Sequence, residues 1–237
     1  MVTARPGPED PNAWEGSSVT ASPAPISSSL IVKPNAPGTY DRSKSRKERR
    51  DDQRRRILLG AAHVFACDGY AGASVATILE CSGVSRGTFY RHFSDLADVF
   101  FAVRQEAARL LFEEVEQSVL SEPHPVARLR VGVRTFLSLV AKNADLARVF
   151  LRESPSNRPR HREVRRRALE RFVQLMNSGL KEAVEQGLVP RMPDELTVYA
   201  LVVAFEGIAA RYLEAREEAR VLEAEPVMFD LCVRAFR

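Results

Sequence analysis

Apolar residues recur along most of the chain at the three- and four-residue spacing of one helix face. The pattern begins near residue 52, and its first clear set consists of Ile57, Leu58, Ala61, Val64 and Phe65. The helical period then continues to the end of the chain, and the sequence lacks the alternating apolar and polar positions of a half-buried strand. The pattern therefore predicts an all-α protein.

Glycine and serine residues divide the first part of this region into three helices. Gly69 is placed to end the first helix, and Ser74 is placed to cap a short second helix. Gly83 ends that second helix, and Ser85 caps a third short helix. Two short helices joined by a turn that contains glycine are typical of a helix-turn-helix unit.

A larger set of helices follows this unit. The fourth helix begins at Ser94 or Asp95 and runs to about Leu120. Further helices are expected over roughly 126–142, 144–153, 160–186, 194–218 and 224–236. The predicted architecture is a three-helix head, residues 46–93, followed by a larger helical body, residues 94–237.

The segment before the head has a composition that does not support a folded core. Residues 1–40 hold seven of the fourteen prolines and few aliphatic side chains. Such a segment cannot bury enough apolar surface to offset its ordering entropy, so residues 1–45 are predicted to be a disordered tail.

The positive charge of the chain is concentrated at the start of the head. Residues 41–60 carry nine basic and four acidic side chains, a net charge of +5, against +4 for the whole chain. This basic arm, residues 42–56, indicates contact with a polyanion, most plausibly nucleic acid through Arg46 and Lys47. A solvated extension of the first helix is the alternative.

Composition excludes several other classes of protein. The most apolar run, Leu196–Ile208, is shorter than a membrane span and contains Glu206. The widely spaced Cys67, Cys81 and Cys232 form neither a disulfide framework nor a pair of CxxC ligands. We therefore predict a cytoplasmic, reduced protein with no membrane segment, no metal site and no cofactor.

The third helix has side chains that suit DNA recognition. In a helix-turn-helix unit the second helix enters the major groove, and its N-terminal residues face the bases. Phe89 and Phe93 are expected to pack inward, which leaves an outer surface of Arg86, Thr88, Tyr90, Arg91 and His92. Such side chains bond guanine edges, phosphates and sugars. Ser74 would bring the preceding helix N-terminus near a phosphate.

Two runs of the sequence resemble the TetR family of bacterial transcriptional regulators. They are Ala61–Tyr70 and Gly83–Phe93, and the resemblance is close over residues 55–101. It implies a homodimer that binds a near-palindromic operator, with a small-molecule pocket in each body. It also implies that Tyr90 and His92 contact phosphates.

The same resemblance implies roles for the other residues of the head. Arg86 and Thr88 would meet bases, while Ser74 and Ser85 would cap their helices against the DNA backbone. Many family members carry a lysine near Leu96 that this chain lacks. The basic arm is expected to replace the phosphate contact of that lysine.

Glu206 stands out in the apolar stretch Ala200–Ala210. One interpretation is an outward charge at a dimer seam, which by the resemblance is formed by residues 194–218 and 224–236. The other is a polar anchor inside the ligand pocket.

A second basic cluster has three interpretations. It consists of Arg158, Arg160, His161, Arg162, Arg165, Arg166, Arg167 and Arg171. A solvated helix face paired with Glu163 and Glu170 is favoured over a gate for an anionic ligand or a second nucleic-acid surface.

His63 and Cys67 lie one helical turn apart and could share a metal with Cys81. A fourth ligand is missing, so burial of these side chains in the small core of the head is favoured.

The sequence as a whole predicts a dimeric, ligand-responsive transcriptional regulator, a repressor that binds double-stranded operator DNA. One alternative is an all-α small-molecule carrier or enzyme that uses the body pocket. The chain contains no HExxH, GxSxG or P-loop motif, so we predict that it is not an enzyme. Another alternative is a regulator that acts mainly through a protein partner docked on the head.

Overall fold

The computed structural model describes residues 45–152 and 159–236, and within these residues every regular element is a helix. The helices are α1 (Arg46–Gly72), α2 (Val75–Ser82), α3 (Arg86–His92), α4 (Leu96–Ser121), α5 (Pro125–Lys142), α6 (Ala144–Leu151), α7 (Pro159–Glu185), α8 (Glu195–Glu214), a 3-10 helix (Glu218–Ala224) and α9 (Glu225–Ala235). The predicted all-α class is confirmed. The predicted tail falls almost entirely outside the described residues.

The first helix begins earlier than the apolar pattern indicated. Ser45 accepts a hydrogen bond from the Glu48 amide at 3.2 Å, and the Glu48 carboxylate accepts one from the Ser45 amide at 2.7 Å. This capping box satisfies two amides at the helix start, so the basic arm is itself helical from Arg46. Gly69, at φ 70°, interrupts α1 where the sequence predicted a stop.

The head packs α1, α2 and α3 around a small core that includes Ile57, Ile78 and Phe89, which are fully buried. Helices α1 and α2 approach each other closely at Gly60. A Cβ atom at Gly60 would lie 2.9 Å from the amide nitrogen of Ser82 and 3.1 Å from its Cα. These are backbone atoms, so the helices approach this closely only because position 60 has no side chain.

Gly60→Ala is expected to lower the free energy of unfolding by about 2 kcal/mol, because the added methyl group must push α2 away from α1. Gly179→Ala is the matched control, since its new Cβ would meet no described atom within 4 Å. The control is expected to raise stability by about 0.5–1 kcal/mol through helix propensity. Urea denaturation at one fixed protein concentration measures both, and equal effects would contradict the close contact.

In the body, α4 packs against α5 and α7, and α7 packs in turn against α5 and α8. The short helix α6 lies against α1, α4 and α8, so it joins head and body. The 3-10 helix, which the sequence pattern did not predict, packs between α5 and α8.

Cys232 is fully buried on α9, and this burial raises the pKa of its thiol to about 12, as suits a packing residue.

The apolar run Leu196–Ile208, which alone is too short for a membrane span, belongs to a longer helix. Helix α8 has 20 residues, and an 18-residue window of it has a mean hydropathy of 1.5, which is long and apolar enough to cross a bilayer. The core helix of a soluble protein meets the same criterion. Here Val198, Leu201 and Phe205 of α8 are buried against the rest of the body.

Candidate nucleic-acid interface and body cavity

Local hydrogen bonds fix both ends of α2 and the start of α3. The Ser74 hydroxyl accepts from the Thr77 amide, and the Thr77 hydroxyl accepts from the Ser74 amide, each at 3.1 Å. Gly83 ends α2 in the left-handed conformation, at φ 63°, which glycine adopts without steric cost. Ser85 then caps α3 by accepting from the Thr88 amide at 3.2 Å. The three caps that the sequence predicted are therefore present.

Arg56 holds the turn of this unit in place. Its Nη2 donates to the carbonyl oxygens of Ser82 at 2.9 Å and Gly83 at 3.0 Å, and its Nε donates to Ser82 at 3.2 Å. These carbonyls lie at the C-terminus of α2, where a positive charge is favourable. Although Arg56 belongs to the basic arm, its guanidinium is engaged with the turn rather than facing outward.

The outer face of α3 matches the prediction at three of its five positions. Phe89 and Phe93 are buried, while Arg86, Tyr90 and Arg91 are exposed, and Tyr90 keeps 50% of its surface. His92, which was also predicted to be an outer residue, is half-buried.

The prediction that Thr88 lies on the outer surface is wrong. Thr88 is only 9% exposed, and its hydroxyl lies 2.9 Å from the Ser85 hydroxyl. The same hydroxyl accepts from Arg91 Nη2 at 3.0 Å. Thr88 turns inward because it occupies the third position of the helix, where a short polar side chain reaches back to the capping residue.

Two arginines of α1 extend the positive surface of α3. The pKa of His92 is lowered, first by partial burial and then by the positive charges of Arg50, Arg91 and Arg54, against a smaller opposing effect of Asp51. The Arg54 guanidinium also lies 5.5 Å from the centre of the Phe93 ring. Arg50 and Arg54 belong to the predicted basic arm, and the four-residue intervals from Arg46 to Arg50 and from Arg50 to Arg54 place all three on one helix face.

Operator binding is expected to tighten as the pH falls from about 7.5 to about 5.5 if a phosphate lies beside His92. The lowered pKa of His92 favours the neutral imidazole in the free protein, and a phosphate would raise that pKa, so binding would take up a proton. The gain is limited to about tenfold for each unit by which the pKa rises on binding. His92→Gln should remove this part of the pH dependence, and an unchanged slope in that variant would contradict the phosphate contact.

The expectation that His63, Cys67 and Cys81 are buried in the head is wrong, because all three are exposed. His63 instead reaches from α1 to the body, where its Nδ1 lies 2.9 Å from Oδ2 of Asp145 on α6. The polar partner is 82 residues away in the sequence, so local spacing gave no sign of it.

The body contains a cavity of about 120 Å³ between α4, α5, α7 and α8. Its wall is mostly aliphatic and aromatic, and includes Val115, Phe136, Phe172, Met176 and Phe205. Two ionisable residues, Arg128 and Glu206, are among the described residues that line it. A cavity of this kind suits an apolar small molecule with few polar contacts.

Glu206 is 5% exposed and lies in the cavity wall, so in this structure it is not an outward charge. Its Oε2 accepts from Arg165 Nη2 at 3.0 Å and Nε at 3.2 Å. Its buried Oε1 has no hydrogen-bond partner among the described residues. Burial raises the pKa of Glu206, while the charges of Arg165 and Arg104 oppose that rise.

The second basic cluster divides into residues of different environments. Arg166 and Arg167 are exposed and pair with Glu163, and Arg166 also pairs with Glu170, as a solvated face predicts. Arg165 turns inward to Glu206, and Arg171 lies 3.6 Å from the centre of the Phe112 ring. The side chains of Arg158, Arg160 and His161 lie outside the described residues.

The buried Arg104 of α4 connects this region to α6. Its Nη1 donates to the carbonyl oxygens of Val149 at 3.0 Å and Arg152 at 3.1 Å, at the C-terminus of α6. The Arg152 guanidinium in turn donates to the carbonyl of Ala66 on α1 at 3.5 Å. A chain of polar contacts therefore runs from the neighbourhood of Glu206 to the head.

Comparison with known proteins identifies both parts of the chain. Residues 57–103 match the family model of bacterial regulatory proteins of the tetR family, and residues 122–212 match that of tetracyclin repressor-like C-terminal domains. The nucleoid occlusion factor SlmA of Marinomonas sp. is 23% identical over 180 residues, covering 75% of this chain and 91% of that protein. The transcriptional repressor AcnR of Corynebacterium glutamicum is 39% identical over 71 residues, 30% of this chain and 38% of AcnR.

Solved structures share the fold over most of the chain. The regulator FadR of Bacillus subtilis, in complex with stearoyl-CoA, has a TM-score of 0.67 at 18% identity, covering 77% of this chain and 98% of its own. The regulator PfmR of Thermus thermophilus has a TM-score of 0.64 at 23% identity, covering 78% and 97%. At such identities the likeness shows a common fold of head and body.

Proposed function

Because the chain belongs to the TetR family of bacterial transcriptional regulators, we propose that it is a dimeric, ligand-responsive repressor of a near-palindromic operator. The observation that carries this proposal is the exposed polar face of α3. It is held by the caps of Ser74 and Ser85 and flanked by Arg50 and Arg54. A positive, rigid helix face of this kind suits the major groove and its phosphates.

Each residue of this interface has a proposed role. Arg86 reads a base edge, whereas Tyr90 and His92 contact phosphates, and the exposed Arg46 and Lys47 of the arm contact the backbone beyond them. Ser74 and Ser85 present the N-termini of their helices to the DNA. Arg91 donates to a phosphate, and Thr88 positions Arg91 through their hydrogen bond instead of meeting a base itself.

The proposed dimer forms through α8 and α9. Both helices carry apolar side chains that face away from the core of the chain, including Leu196, Tyr199, Val227 and Leu231. Leu196 keeps 77% of its surface. Exposed apolar side chains that recur on neighbouring helices favour a symmetric contact with a second copy.

The cavity gives the repressor its proposed response to a small molecule. A ligand that binds one arrangement of the body more tightly shifts the population toward it, and by reciprocity DNA and ligand then weaken each other. Helix α6, which touches α1 and is held by Arg104, is positioned to pass that change to the head. The protein would act in the cytoplasm and without catalysing a reaction, as expected of a transcriptional regulator.

Fluorescence anisotropy on duplexes tiled across the DNA upstream of the gene tests the proposal. At about 150 mM salt with excess random competitor, tight binding is expected on one near-palindromic duplex and should be lost in Tyr90→Ala. Uniformly weak binding in wild type and variant alike would contradict it. A carrier or enzyme would bind or turn over its ligand but would bind no DNA tightly. A head that docks on a partner protein would leave DNA affinity unchanged in Tyr90→Ala.

A further inference from the structure

Two ionisable residues line the cavity of the body, Glu206 and Arg128, and they offer different groups to a ligand. Arg165, the partner of Glu206, and Glu182, the partner of Arg128, lie on the same helix and are seventeen residues apart. That separation corresponds to roughly 25 Å along α7. Glu206 and Arg128 therefore lie toward opposite ends of the cavity, whose lining residues on α7 run from Phe172 to Ala183, roughly 16 Å along the helix. Glu206 is at the end near Arg104, which contacts α6.

The two ionisable residues of the wall are not equally available. Arg128 donates to the Glu182 carboxylate, to the carbonyl of Glu122 at 2.6 Å and to that of Pro123 at 3.4 Å. Glu206 is more deeply buried, and only one of its two oxygens is engaged by Arg165. A buried carboxylate oxygen without a donor among the described residues costs free energy unless something else bonds to it.

We propose that the effector of this regulator is an elongated apolar molecule whose head group donates a hydrogen bond to Oε1 of Glu206. This proposal rests on the ligand-responsive function proposed above and names the chemical class of the ligand. An ionised carboxylate oxygen can only accept hydrogen bonds, so a hydroxyl, amide N–H or ammonium group suits it. A ligand carboxylate would place a like charge beside Glu206 and is disfavoured.

The position of Glu206 also explains how the binding of such a head group can affect the DNA-binding unit. Glu206 lies in the cavity wall and accepts hydrogen bonds from Arg165, and its charge acts on Arg104, which holds the C-terminal carbonyls of α6. A donor placed at Oε1 changes the charge that these two arginines experience. The end of the ligand that distinguishes one compound from another therefore lies beside the contacts that lead to the head.

A series of three eight-carbon probes tests the head-group assignment on the full-length wild-type protein. The probes are 1-octanol, which donates a hydrogen bond, 2-octanone, which only accepts one, and octanoate, which is anionic. Isothermal titration calorimetry is expected to give 1-octanol an affinity at least about tenfold higher than that of either other probe. Equal or tighter binding of 2-octanone or octanoate would overturn the assignment, as would no binding of any probe.

Glu206→Gln adds a second comparison. Removing the charge is expected to tighten octanoate binding and to reduce the preference for 1-octanol over 2-octanone to less than about threefold. Glu170→Gln is the matched control, because Glu170 pairs with Arg166 on the exposed face of α7, and it should keep the wild-type order. The wild-type series needs no variant, so it decides the question even if Glu206→Gln does not fold. An unchanged order in folded Glu206→Gln would overturn the proposal.

Operator binding measured in the same samples separates this inference from the proposed function. If 1-octanol binds preferentially but leaves operator affinity unchanged, the head-group assignment stands and the ligand response fails. If all three probes bind alike and weaken operator binding, the ligand response stands and the assignment at Glu206 fails.

Discussion

Arg104→Ala is expected to lower the free energy of unfolding by about 4 kcal/mol. Arg104 is 1% exposed, and its guanidinium satisfies the carbonyls of Val149 and Arg152 at the end of α6. Removing it leaves a cavity in the body and two helix-terminal carbonyls without this donor. Burial and the charge of Arg165 lower the pKa of Arg104 to about 10, so the side chain still carries its charge at neutral pH.

Arg104→Met separates the two causes of this loss. Methionine refills most of the volume but supplies no donor, so its cost is expected to be about half that of alanine. Denaturation at one fixed protein concentration measures both variants, because the stability of the proposed dimer would depend on its concentration. A loss below about 1 kcal/mol in Arg104→Ala would show that the hydrogen bonds to α6 do not hold it in place.

Arg86→Ala is expected to weaken operator binding about ten- to a hundredfold, with little effect on random DNA. Arg86 is exposed at the first position of α3, where the capping hydroxyl of Ser85 fixes the direction in which the helix enters the groove. A bidentate contact to guanine would account for most of the discrimination between operator and random sequence at that position.

The matched control for this prediction is Arg191→Ala, which removes an exposed arginine of the body. It changes the net charge by the same amount and should leave operator affinity within about twofold of wild type. Anisotropy titrations at several salt concentrations distinguish base from phosphate contacts, since a lost phosphate contact also reduces the salt dependence. Equal weakening on operator and random duplexes would show that Arg86 contacts phosphate only.

The parts of the structure that sequence predicted are those determined by local spacing. The cap residues Ser74, Gly83 and Ser85 and the inward pair Phe89 and Phe93 act within one or two helical turns, and each occurs where the pattern placed it. The start of α1 was predicted late because the arm before it is polar, so only the capping box marks the true beginning.

The contacts that the sequence did not reveal join positions far apart in the chain. Arg165 meets Glu206 across 41 residues, and Arg104 meets Val149 across 45. A charged residue on an apolar face is consistent with either a solvent-facing or a partnered position, and only the packing of α7 on α8 decides between them. His63 and Arg56 are further examples, because their polar partners lie in other helices.

The contact between Gly60 and Ser82 limits how the protein can respond to a ligand. Because the backbones of α1 and α2 lie in close contact and Arg56 is bound across the turn, we expect the head to move as one body. In the proposed dimer, a ligand in the cavity is then expected to alter only the separation of the two heads, against the 34–36 Å between half-sites one helical turn apart. The ligand-bound form of the proposed repressor should keep its preference for bases within each half-site and lose its fit to the spacing between them.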